Sequence, residues 1–485
     1  MELFSDLPGD QGLPGQQRRL AMLAVMTATT MAVFDGSIIN IALPQIARAL
    51  AVPSDAVIWV ANGYLLAVAM CLASCAALAK RVGFRTLFAL GMTLFTLASL
   101  GCALSPSLAW LTSMRVLQGI GGAATLSIAP AILRTIFPQR LLGRILGIHA
   151  LLIAASTAIA PLLGGSLLSA LGWQWIFAIN LPLGILGVTL ALRTLPAAHD
   201  KINGRFDSPG AVLSAVAMAA LILAADACTR RGAGAATSMT VLAYAATAVI
   251  AGMAFIWRQR RASDPLLPLA MFSSARFSMA ALTSLVSFIG LASTFIALPM
   301  LFQNAYGYSA FEAALLLTPW PLGIILAAPS AGRLADRYLP AMLATTGLGV
   351  FVIGLTLLAL LPFHPDTPVT FWQIGWRELI CGIGFGIFQS PNNREMMASS
   401  SRAQSSHASA VLAIVRTFGQ CLGTALVGVL LSVYTHPVGN HANNGLLGAA
   451  QSAHAVEVAL WLAVATTCLA LLMSAGRIRV ASASG

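Results

Sequence analysis

The chain has 485 residues, of which 58% are hydrophobic and only 9% charged, with a formal net charge of +12. Soluble domains carry about 25% charged residues, so a water-soluble enzyme of this size is excluded, and so is a disordered chain, which would be polar and charged. A basic chain ordinarily points to nucleic acid, and the placement of the positive charges decides whether that reading holds.

A bilayer core needs about 20 apolar residues in helical form. Residues 1–19 hold three acids and two prolines ahead of a run too long for a cleaved signal, and read as a cytoplasmic tail. Apolar runs follow at roughly 20–43, 57–79, 86–104, 108–133, 145–169, 175–195, 209–227, 236–257, 277–302, 310–331, 341–362, 370–398, 407–434 and 455–475. These fourteen runs predict fourteen transmembrane helices, the Ala-rich ones starting at 209 and 236 being the weakest, and residues 477–485 form a second tail. The many glycines and prolines inside the runs are tolerated in membrane helices, where they allow close packing and bending.

With the N-terminus inside, 21 of the 27 basic residues fall in inner loops and tails. Arg48, Arg230 and Arg231 fall outside, and Arg115, Arg377 and Arg416 fall within spans. The positive-inside rule then makes both termini cytoplasmic. The basic charge is a topology signal, and no nucleic-acid partner is expected. The cysteines and histidines are scattered without metal-ligand spacing, so no metal is expected. No phosphate-cradling loop is present to power ATP-driven pumping.

The chain also repeats itself. After the second span it reads Ala76-Ala77-Leu78-Ala79-Lys80-Arg81-Val82-Gly83, and after the tenth Gly332-Arg333-Leu334-Ala335-Asp336-Arg337. Arg115 precedes a glycine ladder at Gly119, Gly121 and Gly122; Arg377 precedes one at Gly382, Gly384 and Gly386. The predicted architecture is therefore an all-α polytopic membrane protein of six, two and six helices. The six-helix halves are residues 20–200 and 261–476, and the inserted pair 201–260. An interfacial connector, Arg258 to Phe272, leads into the second half.

These residues resemble the major facilitator superfamily, and within it the fourteen-span drug:proton antiporter branch. Phe34-Asp35-Gly36-Ser37-Ile38-Ile39-Asn40-Ile41-Ala42-Leu43-Pro44 is similar to the branch signature L-D-x-T-I-V-N-V-A-L-P. Trp59 and Tyr64 fit its W-V-x-x-x-Y segment, and Arg115-Val116-Leu117-Gln118-Gly119-Ile120-Gly121-Gly122 its R-x-x-Q-G-x-G. Ala160-Pro161-Leu162-Leu163-Gly164-Gly165 resembles the antiporter G-P-x-x-G-G, and Trp173 to Gly184, with Asn180 inside it, the W-x-W-I-F-x-I-N-x-P-x-G stretch. Gln389-Ser390-Pro391-Asn392-Asn393 and Arg416 with Gly419 and Gly423 also look like branch features. Two positions depart from the pattern. Lys80 stands where the family's gating loop has an acid, inverting the charge there, and Ala160 stands where the antiporter motif has glycine.

A carboxylate past the middle of a bilayer is costly and is either functional or paired, which makes Asp35 the informative acid and Arg115 its natural partner. Uncharged polar groups, Asn40, Gln118, Gln389, Asn392 and Asn393, either contact substrate or bond between helices. Lys80, Arg81, Gly83, Gly332, Asp336 and Arg337 form the gating loops. Pro161, Gly164 and Gly165 read as a hinge or as ordinary close packing. Arg377, Glu378 and Arg416 are expected to form a second-half ion network. The resemblance implies export of amphipathic, often cationic drugs, dyes or biocides in exchange for protons, driven by the proton gradient without a cofactor. It implies a monomer in the bacterial inner membrane, with small-molecule substrate, protons and lipid as partners and an outer-membrane efflux partner left open. The alternatives are a proton-coupled exporter of one metabolite, such as a siderophore, amino acid or self-made antibiotic, and a non-transporting sensor with a transporter fold.

Overall fold

A computed structural model describes residues 12–196, 206–227, 235–262, 265–266, 269–335, 337–361, 370–398, 405–434 and 444–482. Every regular element among them is helical. The first group is α1 (Gly15–Ala49), α2 (Ser54–Val57), α3 (Trp59–Val82), α4 (Phe84–Ala103), α5 (Leu108–Ile136), α6 (Gln139–Leu171), α7 (Gln174–Ala178) and α8 (Asn180–Thr194). A hairpin of α9 (Ser208–Ala227) and α10 (Ala235–Arg261) follows. A short 3-10 turn, Leu269–Ser273, then leads into α11 (Ala275–Met300), which ends in a π turn at Leu301–Ala305. The second group closes with α12 (Ala310–Leu317), α13 (Pro319–Leu334), α14 (Pro340–Ala359), α15 (Phe371–Ala398), α16 (Ser405–Tyr434) and α17 (Asn444–Ser482).

Local chemistry explains the breaks. One residue separates α2 from α3, α7 from α8, and α12 from α13; the last break precedes Pro319 and Pro321, which have no N–H to continue the ladder. Gly83 joins α3 to α4 at φ +91°, a conformation that a side chain would strain. The Ser107 hydroxyl accepts from the Trp110 N–H to start α5, and Ser309 and Glu312 close a reciprocal capping box on α12.

Counting the broken pairs as one, the helices make fourteen long segments, and twelve of these are long and apolar enough to cross a membrane. The other two are α15, which carries Arg377, Glu378, Gln389, Asn392, Asn393, Arg394 and Glu395, and α6, with a shorter apolar stretch at Ala155–Leu171. The chain is a multi-pass membrane protein. Helices outrun the hydropathy at both termini. α1 begins at Gly15, and Arg18, expected in a free tail, is buried, with its Nε donating to the Leu13 carbonyl at 3.0 Å and its guanidinium over Phe137. α17 runs to Ser482 and buries Arg477. A hydropathy window finds the hydrocarbon layer, whereas a helix continues as long as its polar side chains find partners.

Within the first group, α5 packs against α3 and α4, and α1 against α6 and α8. In the second, α15 packs against α13 and α14, and α11 against α16 and α17. The groups meet along α1 with α11, α3 with α16, and α6 with α12. At the end of the bundle away from most of the arginines they share one apolar core, in which Ile41, Ile58 and Trp173 join Leu298, Phe302 and Leu317. Toward the basic end the packing falls into a cluster around Val25, Leu133 and Ile145, which also takes in Ile414 of α16, and another around Phe277, Met396 and Val411. α9 packs against both α3 and α16, while α10 leans mainly on α9 and turns Met239, Leu242, Val249, Ile250 and Met253 outward. Such an apolar outer face suits lipid.

Asp207 anchors this hairpin. Its Oδ1 accepts from the Gly210 N–H at 3.1 Å and from Arg258 Nε at 2.9 Å, and its Oδ2 from Gln259 Nε2 at 2.8 Å. Next to it, the ring of Phe206 lies under the Arg81 guanidinium, tying the hairpin to the last turn of α3. Burial alone would raise the Asp207 pKa, but the bonds from Arg258, Gly210 and Gln259 outweigh it and hold the carboxyl below its ordinary range. Its contribution to stability is therefore present at neutral pH and disappears as pH falls through that lowered value. Asp207→Asn should cost roughly 1–3 kcal/mol and lower the thermal midpoint of the detergent-solubilised protein at neutral pH. The gap to wild type should close on acidification; a gap that persists unchanged in acid would show that the charge is not what holds the hairpin.

Candidate functional site

Five helices converge on one buried charge pair. Asp35 comes from α1, Arg115 and Gln118 from α5, Val60 and Tyr64 from α3, Ser99 from α4 and Asn180 from the first position of α8. Asp35 is 2% exposed, and Arg115 and Gln118 are completely enclosed. Arg115 Nη1 donates to Asp35 Oδ2 and also to Gln118 Oε1, while its Nε donates to the Val60 carbonyl at 2.9 Å. Asp35 Oδ1 accepts from Gln118 Nε2 at 2.8 Å and from Asn180 Nδ2 at 3.4 Å. Gln118 Nε2 also donates to the Ser99 hydroxyl at 2.8 Å. The guanidinium lies 4.4 Å from the centre of the Tyr64 ring, and Tyr64 donates its hydroxyl to the Ala32 carbonyl.

Local sequence explains this geometry. Arg115 and Gln118 are three apart on a helix and so share a face. Glycines let α5 approach that closely: a Cβ on Gly119 would lie 2.5 Å from the Tyr64 carbonyl oxygen. The charges cancel inside the cluster, which is how a membrane interior tolerates them. Arg115 Nη2 alone has no acceptor. Without the Asp35 side chain the guanidinium would keep only Gln118 and the Val60 carbonyl.

The other expected residues distribute differently. Asn40 and Gln389 are partly exposed, as is Asn393, and stand apart from the pair. Asn392 is buried in a second cluster, where it accepts from Arg477 Nη1 at 2.8 Å and donates to the Ala280 carbonyl. Arg477 also pairs with Glu395 at 3.4 Å and donates to the Ser474 hydroxyl. Pro161 lies inside an unbroken α6. Gly164 packs on Ile38 of α1, and Gly165 on Ala310 and Ala314 of α12. The two glycines thus press α6 against both groups, as close packing requires. Arg81 donates to the Ala77 carbonyl as well as covering Phe206, and Arg337 is exposed with its backbone bonded to Leu334. A Cβ on Gly332 would approach Ser390 Oγ. Asp336 and the Lys80 side chain lie outside the described residues.

The expected ion network of Arg377, Glu378 and Arg416 does not form among the described residues. Arg377 bonds the Gln373 carbonyl and stacks on Trp376, and Arg416 lies over Phe288 at 5.4 Å. Glu378 is buried with no cation on it. Arg377 and Glu378 are adjacent on α15 and so point to different sides of it, and Arg416 is on α16. Sequence reading missed Ser99 and Asn180 in the Asp35 cluster; Asn180 was visible inside its motif, but nothing local tied the start of α8 to α1. It also missed the Arg477–Glu395 pair and the buried bond between Thr29 and His149 at 3.1 Å.

Residues 25–424 match the family Major Facilitator Superfamily. The chain is 40% identical to "Uncharacterized transporter YebQ" of Escherichia coli over 87% of its own length and 91% of the relative's. It is 30% identical to "Multidrug resistance protein Stp" of Mycobacterium tuberculosis, over 86% of this chain and 76% of that one. Among solved structures, it is similar in fold to an inward-facing, unoccupied bacterial homologue of the human lysosomal transporter Spinster, with a TM-score of 0.68 and 17% identity over 96% and 97% of the two chains. The helical bundle, the motifs along it and these matches agree, and the chain belongs to the major facilitator superfamily.

Proposed function

We propose that this protein is a secondary active exporter that moves amphipathic, often cationic drugs, dyes or biocides out of the cell in exchange for protons, by alternating access. The observation that carries the reading is the sealed Asp35–Arg115 pair at the junction of five helices. A proton reaching Asp35 cancels one side of the pair and changes the packing of those helices, so proton binding and conformation are linked. Relatives named as multidrug resistance proteins support the class of substrate. In this reading the fourteen helical segments are spans arranged as six, two and six, and the two six-helix halves rock about the seam. The basic end faces the cytoplasm, both termini with it, and the protein works as a monomer in the inner membrane.

A second reading, export of one dedicated metabolite, is favoured by Arg416. Its guanidinium has no acid among the described residues, and an unpaired cation inside a span would suit a substrate bearing a carboxylate.

In energised inverted vesicles, adding ethidium should release protons, and Asp35→Asn should abolish active export at normal membrane abundance; undiminished export by that variant would sink the proton-coupling role of Asp35. Arg115→Lys keeps the charge but loses the fork that serves Asp35, Gln118 and Val60 together. Loss of one charge-assisted bond, about 1.5–3 kcal/mol, should slow export by roughly 10- to 100-fold. A growth screen of an efflux-deficient host against cationic biocides and carboxylate antibiotics separates the two readings: protection only against carboxylates would favour the second.

A further inference from the structure

The two helix groups share one packing plan, and the plan places a carboxyl where its counterpart holds an arginine. In the first group a Cβ on Gly119 would lie 2.5 Å from the Tyr64 carbonyl oxygen, and one on Gly121 would lie 2.7 Å from the Phe95 nitrogen. In the second, a Cβ on Gly382 would lie 2.0 Å from the Trp320 carbonyl oxygen, and one on Gly384 would lie 2.4 Å from the Phe351 nitrogen. Gly119 thus corresponds to Gly382, Gly121 to Gly384, Tyr64 to Trp320 and Phe95 to Phe351. Four residues before Gly119 stands Arg115; four residues before Gly382 stands Glu378.

The equivalent slots are filled in opposite ways. Arg115 has its counter-ion, Asp35. Glu378 is fully buried and neither of its oxygens completes a hydrogen bond; the Trp320 backbone N–H is close enough to act on the carboxyl but falls short of bonding geometry. Among the described residues the surroundings offer no cation. Arg377, its neighbour in sequence, turns to Gln373 and Trp376. α14 has no charged residue, and Glu312 of α12 is engaged in its capping box. Arg416 of α16 lies over Phe288, while Arg333 of α13 and Arg276 of α11 are at the far ends of their helices. Cys381, one turn along α15, is the nearest thiol. Trp320 and Phe351 of the adjoining helices pack their rings edge-on at 5.5 Å.

An ionised carboxylate with neither cation nor hydrogen bonds in such a place is far costlier than a carboxylic acid. One feature favours the anion in turn: Trp320 is the second residue of α13, where the first N–H groups of a helix lack intrahelical partners. We propose that Glu378 is a second proton-carrying site, in the second helix group, which holds a proton in this conformation and gives it up when water or the start of α13 reaches it. Its part in transport rests on the proton-exchange reading; its protonation does not.

Infrared spectra of the purified protein in nanodiscs, recorded from acid to alkaline pH, test the site. The carbonyl-stretch band of a protonated carboxylic acid should be present at neutral pH in wild type and in Asp35→Asn, bleach in alkali, be absent in Glu378→Gln, and be shifted in Glu378→Asp. A Glu378→Gln spectrum that keeps the band, or a wild-type band that never titrates, overturns the proposal. In inverted vesicles Glu378→Gln should lower the protons released per ethidium exported, and an unchanged ratio overturns its part in the cycle. If wild type exports no ethidium, drug exchange fails as a reading, while the titrating band still decides whether Glu378 takes and gives up a proton.

Discussion

A guanidinium cannot shed its charge at any working pH, so a membrane interior that contains one must be built around its acceptors. Arg115 takes a carboxylate from α1, an amide oxygen from its own helix and a backbone carbonyl from α3. Those requirements fix three helices relative to one another, and the carboxylate's other oxygen draws in α8 through Asn180. Ser99 adds α4 through Gln118. The glycines that let α5 lie against Tyr64 follow from the same demand, because the fork reaches Val60 only at close approach. The first group is therefore organised by the charge pair as much as by its apolar core.

The seam between the groups is built on the opposite principle. Gly165 sits against Ala310 and Ala314, the Gln303 amide donates to the Ile41 carbonyl, and Cys421 meets Asn62. Ion pairs between described residues lie within a group or within the inserted hairpin: Asp35 with Arg115, Arg477 with Glu395, His454 with Glu457, Asp207 with Arg258. Parting the seam exposes apolar surface and a few neutral polar groups, and breaks none of these ion pairs. An interface of that kind can open and close with little electrostatic penalty, which suits the proposed rocking of the two groups.

Much of this was legible in the chain itself. Apolar runs gave the helices, because every backbone group in a bilayer must bond within its own segment. Asp35 and Arg115 stood out because so few charges share their surroundings. Hydropathy could not see how far α1 and α17 continue, since Arg18 and Arg477 are satisfied by specific partners rather than by solvent. Nor could it give the register of the repeat. By eye, Arg377 aligns with Arg115, both being arginines ahead of a glycine ladder. The glycine contacts set Glu378 there instead, and one residue of slip turns a helix position by about 100°. The expected network of Arg377, Glu378 and Arg416 failed for a separate reason: each side chain finds other surroundings, Arg377 at Gln373 and Trp376 and Arg416 over Phe288.

The corrected register changes what the two groups can do. In the first, positive and negative charges cancel, so water entering the slot only screens an existing pair. In the second, a lone carboxyl has nothing to cancel it, so entering water is what makes its ionisation possible. Opening the molecule at one end or the other thus acts on the two sites unequally: it loosens a bond in one and frees a proton in the other. Two copies of one packing plan, one slot filled by an arginine and the other by a carboxyl, give the groups different responses to the same motion, and the proposed exchange of protons for substrate would depend on such a difference.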